Sequence, residues 1–271
     1  MIIDVDTGQG DDAPMKSAAA TVLAHAIVLA AVSFAGRPAG AADLRVLTAG
    51  AYKPVLLEQV AEFERTAGVK LAIQTDTAGG LARRVAAGEP FDILFITQGA
   101  VAPLSAQGRV DATTLVPLAK VGIGVGVKAG AALQDIGSVD SFRAARLSSR
   151  AIATVDPASG GSSGIYLWDL FERWGIAAKL KQHAVLTQGG MAADRITAGE
   201  ADLAIQQSSE ILAASGITLV GPIPAEIQNY TVYAGVIGSA SADRANAAAL
   251  LQFLHRPAMR AVLATKGMES P

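Results

Sequence analysis

Cysteine is absent from this 271-residue chain, and histidine occurs only three times. The first absence excludes disulfides, thiolate metal sites and a cysteine nucleophile. The second leaves little for a zinc site or a serine–histidine triad, because His25 falls in an N-terminal apolar run and His183 and His255 are far apart in the chain. Neither a metal nor a cofactor is expected. An excess of one charge is lacking too. A net charge of −2 gives no basic field for nucleic acid or an acidic membrane surface. The glycine-rich stretches "DTAGGLARR" and "ASGGSSG" both lack the Gly-Lys-Ser/Thr ending of a Walker loop, and no dinucleotide fingerprint is present.

Residues 17–35 form an uncharged apolar run, preceded by Lys16 and followed by "RPAGAADL". That is the order of an export signal: positive start, apolar middle, small-residue cleavage zone. Residues 1–42 are therefore expected to be a leader, with Met15 the true start and cleavage after Ala41 or Ala42. No later segment is long and apolar enough to span a bilayer. The mature chain is expected to be a soluble, monomeric, periplasmic protein beginning near Asp43.

From there strands and helices alternate. "LRVLTAG" (44–50), "VKLAIQTD" (69–76) and "FDILFIT" (91–97) have the β pattern. Helical spacing fills 54–68, 80–90 and the run from Val101. A long β-rich stretch, 115–130, breaks the rhythm. A second set follows, with strands at 150–156, 181–187 and 201–207 and helices near 138–146, 163–174 and 190–200. Another long extended stretch covers 216–238, and two helices broken around Pro257 end the chain. This predicts an α/β fold of two lobes joined by two crossover strands. Lobe one is expected to comprise 43–120 plus 223–271, and lobe two 121–222. Ligands of open parallel sheets bind beyond the carboxyl ends of the strands, so the cleft between the lobes is the expected site.

The segments after those strands supply the candidates. "TAGAYKP" (48–54) contributes Ala51, Tyr52 and Lys53, and "DTAGGL" (76–81) contributes Thr77, Gly79 and Gly80, with Arg83 one turn on. In lobe two, "PASGGSSG" (157–164) contributes Ser162 and Ser163. "TQGGM" (187–191) contributes Gly190 and Met191, and Gln206 and Gln207 close the strand at 201–207. Four of these turns are rich in small residues and run into a helix. Unpaired N–H groups there favour an anion through hydrogen bonds and the helix dipole.

The segments "LRVLTAGAYKPVLLEQVAEFERTAGVKL", "LARRVAAGEPFDILFIT", "GIYLWDLFERWG", "ITAGEADLAIQQSSEI" and "LLQFLHRPAMRAVLATKGM" stand in this order. Together they resemble the periplasmic solute-binding proteins of the molybdate-binding type, over essentially all of 43–268. The resemblance implies the type II periplasmic binding fold, capture of a small anion, and delivery to an ABC permease of the inner membrane. Molybdate binders of this family usually carry a serine where this chain has Ala51. They carry serines where it has Thr77, Ala78, Gly79 and Gly80, and a tyrosine where it has Gln206 or Gln207. The hydroxyl ring for a small oxyanion is thus thinned, and Tyr52, Lys53, Arg83, Gln206 and Gln207 suit an organic carboxylate. Some members of the family are isomerases of aconitate, which makes a periplasmic polycarboxylate isomerase the alternative. Such a reaction needs a group that removes an allylic proton and one that returns it. Lys53 and Tyr52 are the candidates near the loops.

Overall fold

The computed structural model describes residues 43–271; the expected leader and its cleavage site lie outside the described residues. The chain runs β1 (Leu44–Ala49), α1 (Lys53–Ala67), β2 (Leu71–Asp76), α2 (Ala78–Ala86), β3 (Ile93–Thr97), α3 (Val101–Ala106) and β4 (Val110–Val121). It continues through β5 (Ile123–Lys128), α4 (Val139–Ser148), β6 (Ile152–Val155), α5 (Ser162–Arg173), α6 (Ala177–Lys181), β7 (Ala184–Thr187), α7 (Asp194–Thr197), β8 (Leu203–Gln207), α8 (Ser208–Ala213) and β9 (Ile217–Pro222). It ends with β10 (Thr231–Gly238), α9 (Arg244–His255) and α10 (Met259–Thr265).

Local chemistry sets these elements. Helix α1 has proline in its first turn, where no N–H is needed, and stops at Gly68, whose φ of 66° is the left-handed helix end that glycine accepts. Its buried residues Val55, Leu56, Gln59 and Phe63 recur at helical spacing and face the sheet. Strand β3 is buried along Ile93–Ile96, which fits a strand covered on both faces.

Two five-stranded sheets form, in the orders β2-β1-β3-β10-β4 and β7-β6-β8-β5-β9. In the first, β1 pairs in parallel with β2 and β3, while β10 is antiparallel to β3 and β4. In the second, β6 pairs in parallel with β7 and β8, while β5 is antiparallel to β8 and β9. Each sheet therefore has a parallel trio, then one strand that runs against it, then an edge strand antiparallel to that one. Separate apolar cores lie against them. One gathers Leu44, Phe63, Leu81, Phe95 and Leu250; the other gathers Phe142, Leu167, Phe171, Leu180 and Ile205. This is the expected two-lobe α/β fold.

Both crossovers are sharper than the sequence suggests. The stretch expected as one extended run at 115–130 divides at Gly122, with β4 in the first sheet and β5 in the second. The stretch at 216–238 divides between Pro222 and Thr231, with a single 3-10 turn at Ala225–Ile227. Pro222 is the last residue of β9 paired with β5, and Pro224, two residues on, has no N–H to give a ladder. The Gln228 side chain ties the two crossings together: its Oε1 accepts from Ile123 N at 2.8 Å and its Nε2 donates to Ile123 O at 2.9 Å.

Two further differences are local. The helix expected at 190–200 shrinks to Asp194–Thr197, because 187–191 is a glycine loop and Ala193 N is taken by the Gln206 side chain. The strand expected from 181 starts at Ala184, because Ala177–Lys181 makes a short helix that buries Leu180. The strand at 201–207 runs straight into helix α8, which opens on the "SSE" of residues 208–210. Among the described residues no helix is long and apolar enough to cross a membrane.

Candidate functional site

A cavity of about 310 Å³ lies at the carboxyl ends of the parallel strands of both sheets. The first sheet lends Ala49, Gly50, Ala51 and Lys53 from the β1–α1 turn and Thr75–Ala78 from the β2–α2 turn. The second lends Val155 and Gly161–Ser163 from the β6–α5 turn, Gly189–Met191 from the loop after β7, and Gln207 and Glu210 from the β8–α8 junction. Strand β10 adds Tyr233.

Of the residues expected at the site, Ala51, Lys53, Thr77, Ser162, Ser163, Gly190, Met191 and Gln207 line this cavity. Tyr52 does not. Its side chain is buried in the first core, 5.3 Å from Phe95 between ring centroids, because the N-cap of α1 turns it inward. Burial pushes its phenol well above the usual range, so it is no base. Gln206 is also displaced. Successive strand residues face opposite ways, so Gln207 faces the cavity while the carboxamide oxygen of Gln206 accepts from Ala193 N at 2.9 Å. Gly80 packs beneath the cavity with its N–H on the Thr77 hydroxyl at 2.9 Å, capping α2.

Gly79 and Arg83 hold the lobes together instead of lining the cavity. Gly79 N donates to Gly160 O at 3.0 Å, Arg83 Nη2 donates to Ser159 O at 3.0 Å, and Thr77 Oγ1 donates to the same carbonyl at 2.6 Å. The glycines meet backbone to backbone. A Cβ built on Gly79 would stand 2.6 Å from Gly160 Cα. Across the cavity floor, Ser209 Oγ donates to Ala51 O at 2.8 Å. The cavity is thus closed on two sides by bonds between the sheets.

The donors and charges inside are distinct. Helix α5 has Gly161 as its N-cap and so no side-chain cap, which leaves its first N–H groups facing a site that already holds Ser162 and Ser163. Lys53 is the only basic residue among those lining the cavity. Two carboxyls also line it. Asp76 accepts from Thr77 N at 2.7 Å, with Arg84 Nη1 at 3.6 Å from its other oxygen. Glu210 is different. It is buried, and Gly50 stands so close that a Cβ there would lie 2.6 Å from its Oε1. Burial pushes its carboxyl up to about 7, and the nearby Gln206 side chain opposes this only in part.

Glu210 and Tyr233 are the functional candidates that the sequence reading missed. Glu210 had a signal: a carboxylate in the "SSE" segment directly after a strand of the parallel trio. Tyr233 had none, since its place depends on β10 lying between β3 and β4. Its hydroxyl is 3.4 Å from Ser162 Oγ. Gln207 Nε2 donates to Ser162 Oγ and to Thr231 Oγ1, each at 3.0 Å. Among the described residues no group of three or more His, Asp or Glu side chains is placed to hold a metal ion.

Residues 44–269 match the family model described as bacterial extracellular solute-binding protein. An aconitate isomerase of Pseudomonas sp. is 32% identical over 238 residues, covering 84% of this chain and 89% of that protein. Among solved structures, the periplasmic molybdate-binding protein of Azotobacter vinelandii superposes with a TM-score of 0.71 at 21% identity, covering 84% of this chain and all of that one. The sulfate-binding protein SubI of Mycobacterium tuberculosis gives 0.65 at 18% identity, covering 85% and 87%. At these identities the two structures establish the two-lobe fold and nothing finer. With its fold, its interlobe cavity and a family match over 44–269, this chain belongs to the bacterial extracellular solute-binding proteins.

Proposed function

We propose that this protein isomerises a small unsaturated polycarboxylate of the aconitate type in the interlobe cavity, outside the cytoplasm. The observation that carries the reading is Glu210. A pure receptor for a small anion gains nothing from a buried carboxyl in its cavity, because an ionised one repels the ligand. A proton-transfer site needs one, with its ionisation close to neutral pH, and burial puts Glu210 at about 7. The likeness to an aconitate isomerase supports the same reading.

The step is a 1,3 shift of one proton. The Glu210 carboxylate removes a proton from the allylic CH2 beside a substrate carboxylate. The electron pair spreads over the three-carbon unit and onto that carboxylate. The protonated Glu210 then gives a proton to the far carbon, and the double bond has moved. No oxidant or metal is consumed. Lys53, the free N–H groups that open α5, and the hydroxyl of Ser163 are the groups suited to the remaining carboxylates.

Proton NMR of cis- and trans-aconitate incubated with the protein tests this. Interconversion that scales with protein concentration is the expected outcome. Binding of either isomer without turnover supports the second reading, which the family match favours: an extracellular receptor that passes an organic anion to a membrane permease.

A further inference from the structure

Removing the allylic proton drives negative charge onto the adjacent carboxylate of the substrate. A donor aimed at those oxygens is worth more in the transition state than in the ground state. The cavity contains one whose proton is directed by its neighbours. Gln207 Nε2 spends its two protons on Ser162 Oγ and Thr231 Oγ1, each at 3.0 Å. Ser162 Oγ therefore accepts from Gln207, and its single proton is free for the Tyr233 oxygen 3.4 Å away. Tyr233, accepting there, has its own O–H proton left over. Among the described residues no other partner is bonded to that hydroxyl, and the residue lines the cavity while only 3% exposed.

We propose that Tyr233 is a catalytic residue of this site, donating its phenolic proton to the substrate carboxylate beside the carbon that Glu210 deprotonates, with Gln207 and Ser162 as positioning residues that aim it. The proposal rests on the isomerase reading and deepens it. No proton is transferred by Tyr233; it remains O–H throughout, and the shifted proton travels on Glu210. The surroundings keep it that way. Burial, and then the charge of Glu210, hold the phenol well above its usual range, and the neighbouring Ser162 and Gln207 side chains oppose this only in part. A donor that never ionises suits an oxyanion that appears and disappears in each turnover.

The test uses the full-length protein and three variants: Tyr233→Phe, Ser162→Ala and Gln207→Leu. Tyr233→Phe is expected to lower kcat about 100-fold or more, the usual cost of one transition-state donor, with KM raised less than about fivefold. The pH profile is expected to keep its acid limb near 7, because Glu210 is untouched. Ser162→Ala and Gln207→Leu are expected to lower kcat by about tenfold each, and neither is expected to add its full effect in the Tyr233→Phe background, because both act through that hydroxyl. Unchanged kcat in Tyr233→Phe, or a rise in KM alone, overturns the proposal. If Tyr233→Phe fails to fold, the Ser162→Ala and Gln207→Leu variants decide: full kcat in both overturns it. If the wild type turns over neither aconitate isomer, the isomerase reading fails separately. Tyr233 is then judged by calorimetry with trans-aconitate, where loss of a donor to a carboxylate weakens binding about tenfold or more, and equal affinity overturns its role as a donor.

Discussion

Burying Glu210 works against folding at neutral pH, and the penalty is measurable. Its carboxyl titrates near 7 in the folded protein but in the ordinary range near 4.5 when unfolded. Between those values the folded state holds the extra proton, so stability falls as pH rises from about 4.5 to 7 and is flat above. Glu210→Gln is therefore expected to raise unfolding stability at pH 8 by on the order of 3 kcal/mol, with the gain fading towards pH 4. Denaturant melts at both pH values check this. Asp92 shows the opposite sign. Burial alone would raise it, but Arg45, through its guanidinium and its N–H, and Ser241 hold it at about 2. Its contribution is present above about 4 and lost as pH falls towards 2. Asp92→Asn is expected to cost about 2–4 kcal/mol at pH 7, read from the shift in denaturant midpoint. Gly50 completes the picture. Gly50→Ala would push on the Glu210 carboxylate, the movable end of a side chain, so a folded protein with lost turnover is expected. At this scale the sequence was only partly legible. The strand period separates Gln206 from Gln207 once the strand is placed, yet Tyr52 looked like a cavity residue until the N-cap of α1 turned it into the core.

Elements determine which loops touch the ligand and which touch each other. The alternation of strands and helices was legible because β1, β3, β6 and β8 are short apolar runs followed by small-residue turns. What the sequence could not show is that the β2–α2 turn meets the β6–α5 turn. Thr77, Gly79 and Arg83 were natural choices for an anion site, and their donors go to Ser159 and Gly160 of the other lobe instead. This contact is long-range, between residues about eighty apart, and no local pattern encodes it. It gives a sharp prediction. Gly79→Ala brings a Cβ against the Gly160 backbone, which cannot rotate away as a side chain would. The variant is expected to fold and to leave its cleft open, with small-angle scattering unchanged by trans-aconitate while the wild type contracts. Equal contraction in both would show that the glycine contact does not set closure.

The described residues build two similar sheets that exchange their fourth strands. β10 returns from beyond the second sheet to pair with β3, and β5 leaves the first to pair with β8. The exchange puts the two crossings side by side, where Gln228 bonds both main-chain groups of Ile123. It also carries Tyr233 into a cavity otherwise built from βα turns. With a net charge of −2 the molecule has little field with which to steer an anion from afar. Recognition therefore rests on Lys53, the opening turn of α5 and the hydroxyls inside the closed cleft. The most direct measurement is made on wild type and Glu210→Gln side by side: calorimetric affinity for trans-aconitate, and NMR turnover of the same sample. A base in the cavity predicts that Glu210→Gln binds as tightly as the wild type or more tightly, while its turnover falls by about 1,000-fold. Turnover that survives the substitution would remove Glu210 from the chemistry, and with it the isomerase reading as built on this cavity.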